Sequence, residues 1–336
     1  MKRVYKIVSS TDELWQQIES TYDSCVYKTK DWYDALVSSV KTELVIVEIS
    51  KNNEVLGWFT GGIIKKIGLK IVASPFEGWG TSYQGLSLIQ RTAESDRIEI
   101  ILELKDFLFK ELGILFFQIA DWQLDNEDLL GTGIYTEQIN SYLLDIAPSV
   151  DDLFKSFKQK SCQYSIRKAQ KNGIIVKEPI DLVAFGHEYY KQLEDVFIKQ
   201  NLKPTYDENR VQTILSKMDK DKNMVVLEAL HPETNKSMAC VIFFYHNELA
   251  FYWGASSWSE YQKLCPNELL MFESMKILKE RGCKILEMEG IRTYKEKYNP
   301  VRYSKPKLIF ARFKFLITAK NLAKKSYYSL RKFLHT

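Results

Sequence analysis

The stretch LAFYWGASSWSEYQKLCPNELLMFESMKILKERGCKILEMEG, residues 249–290, decides the fold. It opens with aromatic and small apolar residues suited to a buried strand, passes through a polar turn, and resumes at Pro266 and Asn267 with a helical repeat. Met271, Met275 and Leu278 share one face of that helix, Gly282 stops it, and KILEMEG follows as a second short strand. Upstream, MVVLEAL (224–230) and MACVIFFY (238–245) flank a polar HPETNKS loop, and HNE makes a tighter turn into residue 249. The whole reads as antiparallel strands, then helix, then strand.

The first half repeats that order. LVIVEIS (44–50) and VLGWFTGGIIKK (55–66) flank a four-residue hairpin segment, Lys51 to Glu54, and IGLKIVASP continues the meander. A helix over about Glu94 to Leu112 carries Ile98, Ile101, Leu102 and Leu108 on one face, and the buried strand ILFFQIA starts at Ile114. Ahead of the meander stand a capped helix start at Ser10 to Glu13 and a second helix in DWYDALVSSV. Between the halves, Ser149 with Asp152 caps a helix expected to run through SCQYSIRKAQKNG to Gly173, followed by a strand in IIVKEP and a helix near Val183 to Asn201. The class is α/β, with mixed sheets of one repeated topology. The expected divisions are 1–145, 146–312 and a terminal segment 313–336.

A chain of 336 residues accommodates two domains of roughly 150 residues each. With 45% hydrophobic and 27% charged residues it is globular in composition, which excludes wholesale disorder. Cys25, Cys162, Cys240, Cys265 and Cys283 are scattered without a CxxC pair and only four histidines accompany them, so a reducing compartment and no metal site are expected. No signal peptide and no run of about 18 apolar residues is found, so a cytoplasmic protein is expected. The charge is uneven: from Lys305 onward there are nine Lys/Arg and no Asp/Glu, while the preceding chain has 38 against 43, a net of −5. That body does not suit DNA. In the tail, Leu316, Ala319, Ala323, Tyr327, Leu330 and Leu334 form one stripe, with Lys320, Lys324, Lys325, Arg331 and Lys332 elsewhere. Such a basic amphipathic helix suits the anionic inner face of a membrane, or docking on the protein body or a partner.

Several stretches resemble one family. SIRKAQKNGIIV is similar to the RxxIRKAxKxGV block of Fem-like transferases and of related acetyltransferase domains in polysaccharide-biosynthesis clusters, CelD-like proteins among them. YKTKDWYDAL resembles their xxWxxAL segment, residues 248–290 resemble their strand, PNxLLxxExI helix and ExG strand, and IRTYKEKYNP resembles their YKxKF ending. Together these cover most of the chain in the family's order. The resemblance implies two tandem GNAT-like N-acyltransferase domains, acyl-CoA as co-substrate, and an amine acceptor on an amino sugar or lipid-linked cell-envelope precursor. It also implies two alternatives: a Fem-type aminoacyltransferase using aminoacyl-tRNA and a peptidoglycan precursor, or a silent module that binds a glycan or a partner. One departure stands out. The acetyltransferase pyrophosphate run, Q/R-x-x-G-x-G/A, is replaced before Asn267 by LCPN.

Acyl transfer to an amine needs a neutral nucleophile, a stabilised oxyanion and a protonated leaving group. By resemblance, the strands LAFYWGA and KILEMEG splay apart. A backbone N–H near Trp253 or Gly254 is then the candidate oxyanion donor, and the first turn at Asn267 offers N–H groups to donor phosphates. Glu289 is the candidate general base, against the plainer role of a surface carboxylate. Tyr252 and Tyr294 are candidate acids, against core packing. Lys295 and Lys297 are candidate phosphate ligands, against a solvated loop. Arg167 and Lys168, with Lys171, form a basic ridge that suits an anionic substrate or a solvated helix face. Phe76, Trp79 and Tyr83, in SPFEGWGTSYQG, either line an acceptor cleft or pack between domains.

Overall fold

Asn52 and Asn53 both take left-handed backbone, at φ 55° and 66°, as a two-residue hairpin turn requires, and Lys51 consequently pairs with Glu54. A second two-residue turn, through Asn247, sets His246 against Leu249. The computed structural model describes residues 2–66 and 68–322, the Lys66 side chain excepted. Along the chain come β1 (Val4–Val8), α1 (Asp12–Glu19), α2 (Lys30–Ser39), β2 (Glu43–Lys51), β3 (Glu54–Lys66), β4 (Leu69–Ser74), β5 (Leu86–Leu88), α3 (Glu94–Glu111), β6 (Phe116–Ala120) and β7 (Tyr135–Asp145). There follow α4 (Val150–Ser156), α5 (Tyr164–Lys171), β8 (Ile175–Lys177), α6 (Leu182–Ile198), α7 (Glu208–Lys217), β9 (Met224–Leu230), β10 (Ser237–His246), β11 (Leu249–Ser257), α8 (Pro266–Glu280), β12 (Ile285–Glu287) and β13 (Val301–Ala311).

The chain divides into two compact units that are not contiguous in sequence. Unit 1 comprises Met1–Asp23, Lys41–Gln138 and Lys305–Thr336; unit 2 comprises Ser24–Val40 and Ile139–Ser304. The sequence boundary at 145/146 therefore falls inside unit 2, and the segment before residue 41 is shared out. The cause lies in two fully buried aromatics of unit 2. Tyr27 meets Phe251 at 4.5 Å between ring centroids, and Trp32 meets Phe244 at 5.3 Å, so residues 24–40 pack where those rings are.

In unit 1, β1 to β4 form an antiparallel run, and α3 then carries the chain to β6, which lies parallel to β4. The sheet closes with Lys307–Ala311 of β13, antiparallel to β6. Ile98, Ile101, Leu104 and Leu108 of α3 bury against Val45, Val47 and Phe117. The parallel pair β4 and β6 ends at Ser74 and Ile119, and residues 75–85 fill the space beyond. Gln84 N–H bonds to the Ala120 carbonyl at 3.1 Å and Gly85 N–H to Ser74 Oγ at 3.0 Å. Phe76, Trp79 and Tyr83 are correspondingly buried. Phe76 and Trp79 contact edge to face at 5.0 Å, and Tyr83 meets Trp122 likewise at 5.0 Å. A side chain at Gly62 would come within 2.3 Å of the Trp79 ring, so the glycine makes room for it.

Unit 2 repeats the pattern. Its β9, β10 and β11 form an antiparallel meander, α8 crosses back, β12 lies parallel to β11, and Leu143–Asp145 of β7 closes the sheet antiparallel to β12. Leu269, Leu270, Met275 and Leu278 of α8 join Val225, Val241 and Phe243 in one core. The expected single helix from Ser149 to Gly173 is broken. It stops at Ser156, turns through a π-helical segment at residues 159–163, and resumes as α5. Phe157 and Cys162 both reach the core, and five residues of α-helix would point them about 140° apart, so the register has to slip. The Gln163 amide holds the break, donating to the carbonyls of Lys155 at 3.1 Å and Phe157 at 2.8 Å. Helix α7 and strands β1, β7 and β13 had not been singled out in the sequence. Of the expected terminal helix, residues 315–322 are helical; Ala323 to Leu334 lie outside the described residues.

Unit 1 also contains a sealed ion cluster. The Arg97 guanidinium bonds to Asp121 at 2.7 Å, Asp23 at 2.6 Å and the Tyr22 hydroxyl at 2.7 Å, tying α3 to the segment after α1 and to the end of β6. Asp121 accepts further from the amides of Leu86 and Gln123. Removing the cation leaves two buried carboxylates facing each other. Arg97→Leu is expected to destabilise unit 1 by about 3–5 kcal/mol, read as a lower urea midpoint than that of wild type.

Candidate active site

The parallel strands β11 and β12 pair at only three positions, Leu249 with Ile285, Ala250 with Leu286, and Phe251 with Glu287. Beyond them β12 stops, while β11 runs on to Ser257. On its other edge β11 carries a bulge: Phe243 faces Tyr252 and Ile242 faces Gly254, which leaves Trp253 as the extra residue. A bulge bends and twists its strand, and this one falls just past the last residue of β11 that pairs with β12. The backbone of β11 past Phe251 has no partner in β12. A cavity of about 400 Å³ occupies this opening, with Tyr252, Ser256, Ser257, Asn267, Glu268, Tyr294, Lys297 and Tyr298 in its walls.

The chain after β12 is held by two buried ionisable groups. Glu287 is fully buried and accepts from the Tyr303 hydroxyl at 2.7 Å and the Glu289 amide at 2.8 Å, with Ser141 also bonded to it. Burial raises its pKa against these bonds and the nearby Lys295. Lys295 is itself 2% exposed, and its ammonium donates to the carbonyls of Met288, Glu289 at 2.8 Å and Gly290 at 3.3 Å. Those carbonyls converge because Glu289 and Gly290 take left-handed backbone, at φ 54° and 80°. Lys295 is thus a structural clamp, with Tyr252 and Tyr294 rings 5.1 and 5.7 Å from its ammonium, which corrects its reading as a solvent-facing phosphate ligand.

Tyr252 and Tyr294 come together in the cavity, hydrogen-bonded to each other. Burial first, and the Tyr294 hydroxyl beside it second, hold the Tyr252 phenol protonated well above the usual range, so it is a neutral donor. Glu289 is half-buried and is not part of the cavity wall; its Oε1 accepts from the Tyr27 hydroxyl at 2.5 Å. Burial, with Glu289 second, keeps Tyr27 protonated. The Trp253 ring lies on the opposite side of the strand from Tyr252, 5.2 Å from the Tyr206 ring, and its indole N–H has no hydrogen-bond partner among the described residues. Gly254 is required there, because a Cβ would stand 2.3 Å from the Tyr189 hydroxyl, which bonds Tyr206 at 2.9 Å.

Helix α8 starts at the cavity. Its N-cap Cys265 has φ 62° and provides no side-chain cap, while Asn267 Nδ2 donates to Ser257 Oγ at 3.0 Å and fastens the helix start to the end of β11. Glu268 in the first turn is paired with the Lys297 ammonium, each side chain under one-fifth exposed. The helix start therefore presents an ion pair rather than a bare carboxylate. Arg167 and Lys168 lie on α5, outside the cavity wall. Arg167 is exposed, with its guanidinium 5.1 Å from the Phe154 ring centroid. Among the described residues no cluster of three or more His, Cys, Asp or Glu side chains is placed to hold a metal ion, and no helix is long and apolar enough to cross a membrane.

No protein-family profile matches the sequence and no curated protein matches it. Solved structures do. FemX superimposes with a TM-score of 0.75 over 95% of this chain and 99% of its own, at 11% identity. The fold is that of the tandem GNAT proteins. A tandem GNAT protein from the clavulanic acid biosynthesis pathway matches with a TM-score of 0.53 at 9% identity, over 92% of this chain and 98% of its own. The C-terminal domain of a putative lysylphosphatidylglycerol synthetase from Agrobacterium fabrum matches at 0.54 and 13% identity, over 88% and 90%.

Within this tandem GNAT fold, Tyr252, Tyr294, Asn267 and Lys297 of the sequence candidates share one cavity, whereas Glu289, Arg167 and Lys168 stand outside its wall. Glu287, Tyr27, Tyr298 and Glu268 had not been picked out. Burial holds the Lys295 ammonium down to about 8, partly offset by Glu287 and Glu289. Between that value and its ordinary one the unfolded chain binds more protons than the folded one, so this group makes stability rise with pH there. Lys295→Met leaves three carbonyls without their donor and is expected to cost about 2 kcal/mol at neutral pH. The deficit against wild type should widen between about pH 8 and pH 10, as urea unfolding of both proteins across that range would show; a narrowing deficit would contradict the assignment.

Proposed function

We propose that the chain is an N-acyltransferase that moves an activated acyl group onto an amine of a cell-envelope or polysaccharide precursor, such as an amino sugar, in unit 2. The observation that carries this reading is the opening between β11 and β12 after three paired residues, with a polar, tyrosine-lined cavity at the start of α8. The acyl carbonyl lies in that opening, its oxygen against backbone N–H groups near Trp253 or Gly254. Tyr252, kept neutral, protonates the leaving group, with Tyr294 bonded to it. Glu289, bonded to Tyr27 and outside the cavity wall, takes the proton from the attacking ammonium through water. Arg167 and Lys168 attract the anionic part of a substrate to α5.

Two donors are consistent with the fold, acyl-CoA and an aminoacyl ester on tRNA.

The test offers the purified protein an amine-bearing envelope precursor with acetyl-CoA, followed by thiol release, or with aminoacyl-tRNA, followed by loss of the ester. Acceptor-dependent consumption of one donor is expected. Glu289→Gln should lower kcat by about 10²-fold or more with little change in KM. Consumption of neither donor, together with retained glycan binding, would replace the enzyme by a binding module.

A further inference from the structure

The last described segment of unit 1 turns its polar side inward. In the helix over residues 315–322, Lys320 pairs with Glu137 at 3.0 Å and Asn321 Nδ2 donates to the Tyr135 hydroxyl at 3.0 Å. Phe315, Ala319 and Leu322, spaced i, i+4 and i+7, lie on the side away from those contacts and are exposed. Phe315 is 67% and Leu322 60% exposed, and Phe313, at 51%, stacks on Phe315 with centroids 5.9 Å apart. Apolar side chains gathered this way are unfavourable in water unless something covers them.

The charge around them indicates what does. Arg312 and Lys314 flank the aromatic pair, are exposed, and have no ion pair among the described residues. From Lys305 to the end the sequence contains nine basic residues and no acidic one, with Lys324, Lys325, Arg331 and Lys332 after the described helix. A soluble partner would have to offer an acidic surface with an apolar groove in it; an anionic bilayer presents phosphates at its surface and hydrocarbon just below, in the depth order of these side chains. We propose that Phe313, Phe315 and Leu322 form a docking surface for an anionic lipid bilayer, entering the boundary between headgroups and acyl chains while Arg312 and Lys314 meet the phosphates. The surface is independent of the chemistry assigned to unit 2.

The experiment is co-sedimentation of the full-length protein with vesicles of phosphatidylcholine alone and with vesicles of equal parts phosphatidylcholine and phosphatidylglycerol. Binding to the anionic vesicles, absent with phosphatidylcholine and weakened by salt, is expected. A Phe313→Ser, Phe315→Ser, Leu322→Ser variant should bind about tenfold more weakly or less while keeping the wild-type urea midpoint, since the three side chains are exposed. Equal binding to both vesicle types, no binding, or a triple variant that binds like wild type overturns the proposal. So does a lipid-free dimer that the triple variant disperses, because the covering surface is then a second copy.

Discussion

A carboxylate on the last residue of β12 and an ammonium from the segment after it, both sealed from water, lie where the pairing of β11 with β12 ends. Glu287 and Lys295 are expensive to bury, and the cost is tolerable only because each is surrounded by partners: hydroxyls and an amide for the first, three carbonyls for the second. Those partners are mostly backbone groups of residues 288–290, so the pair fixes a left-handed turn where a fourth strand pairing with β11 would otherwise form. The width of the opening, the position of Tyr294 and the site of Lys297 at the start of α8 all follow from where that turn ends.

Unit 1 has the same strand order and a similarly short parallel pair, yet its gap is occupied. Residues 75–85 fold into it, with backbone bonds to Ala120 and Ser74 and the rings of Phe76, Trp79 and Tyr83 beneath. One topology has therefore been used twice, once with the opening plugged by its own chain and once with the opening kept.

The strand and helix order of both units could be read from periodicity, because alternating and three-to-four residue patterns report directly on which face is buried. Tyr252, Tyr294, Asn267 and Lys297 were accessible for the same reason: they lie on, or just beyond, elements whose positions the pattern sets. Glu287 was not, since nothing in its letter or spacing distinguishes a carboxylate sealed by Tyr303 and Ser141 from one at a surface. Tyr27 was hidden by distance, its partner lying 262 positions away. The break at Phe157 escaped because it arises from two side chains competing for the core, which overrides a continuous helical propensity. The role of the loop aromatics stayed open because composition gives no sign of whether a glycine-rich segment folds outward or back into its own sheet.

The exchange of closing strands has a consequence for synthesis. Strand β6 of unit 1 is made at residues 116–120, but the segment that hydrogen-bonds to it, residues 307–311, emerges only after every strand of unit 2 has been made. Through the intervening stretch the nascent chain carries an open sheet edge, and such an edge readily takes up strands from neighbouring polypeptides. The half of the molecule born first is thus the half completed last, and its exposure to ribosome-bound chaperones is written into the order of its strands.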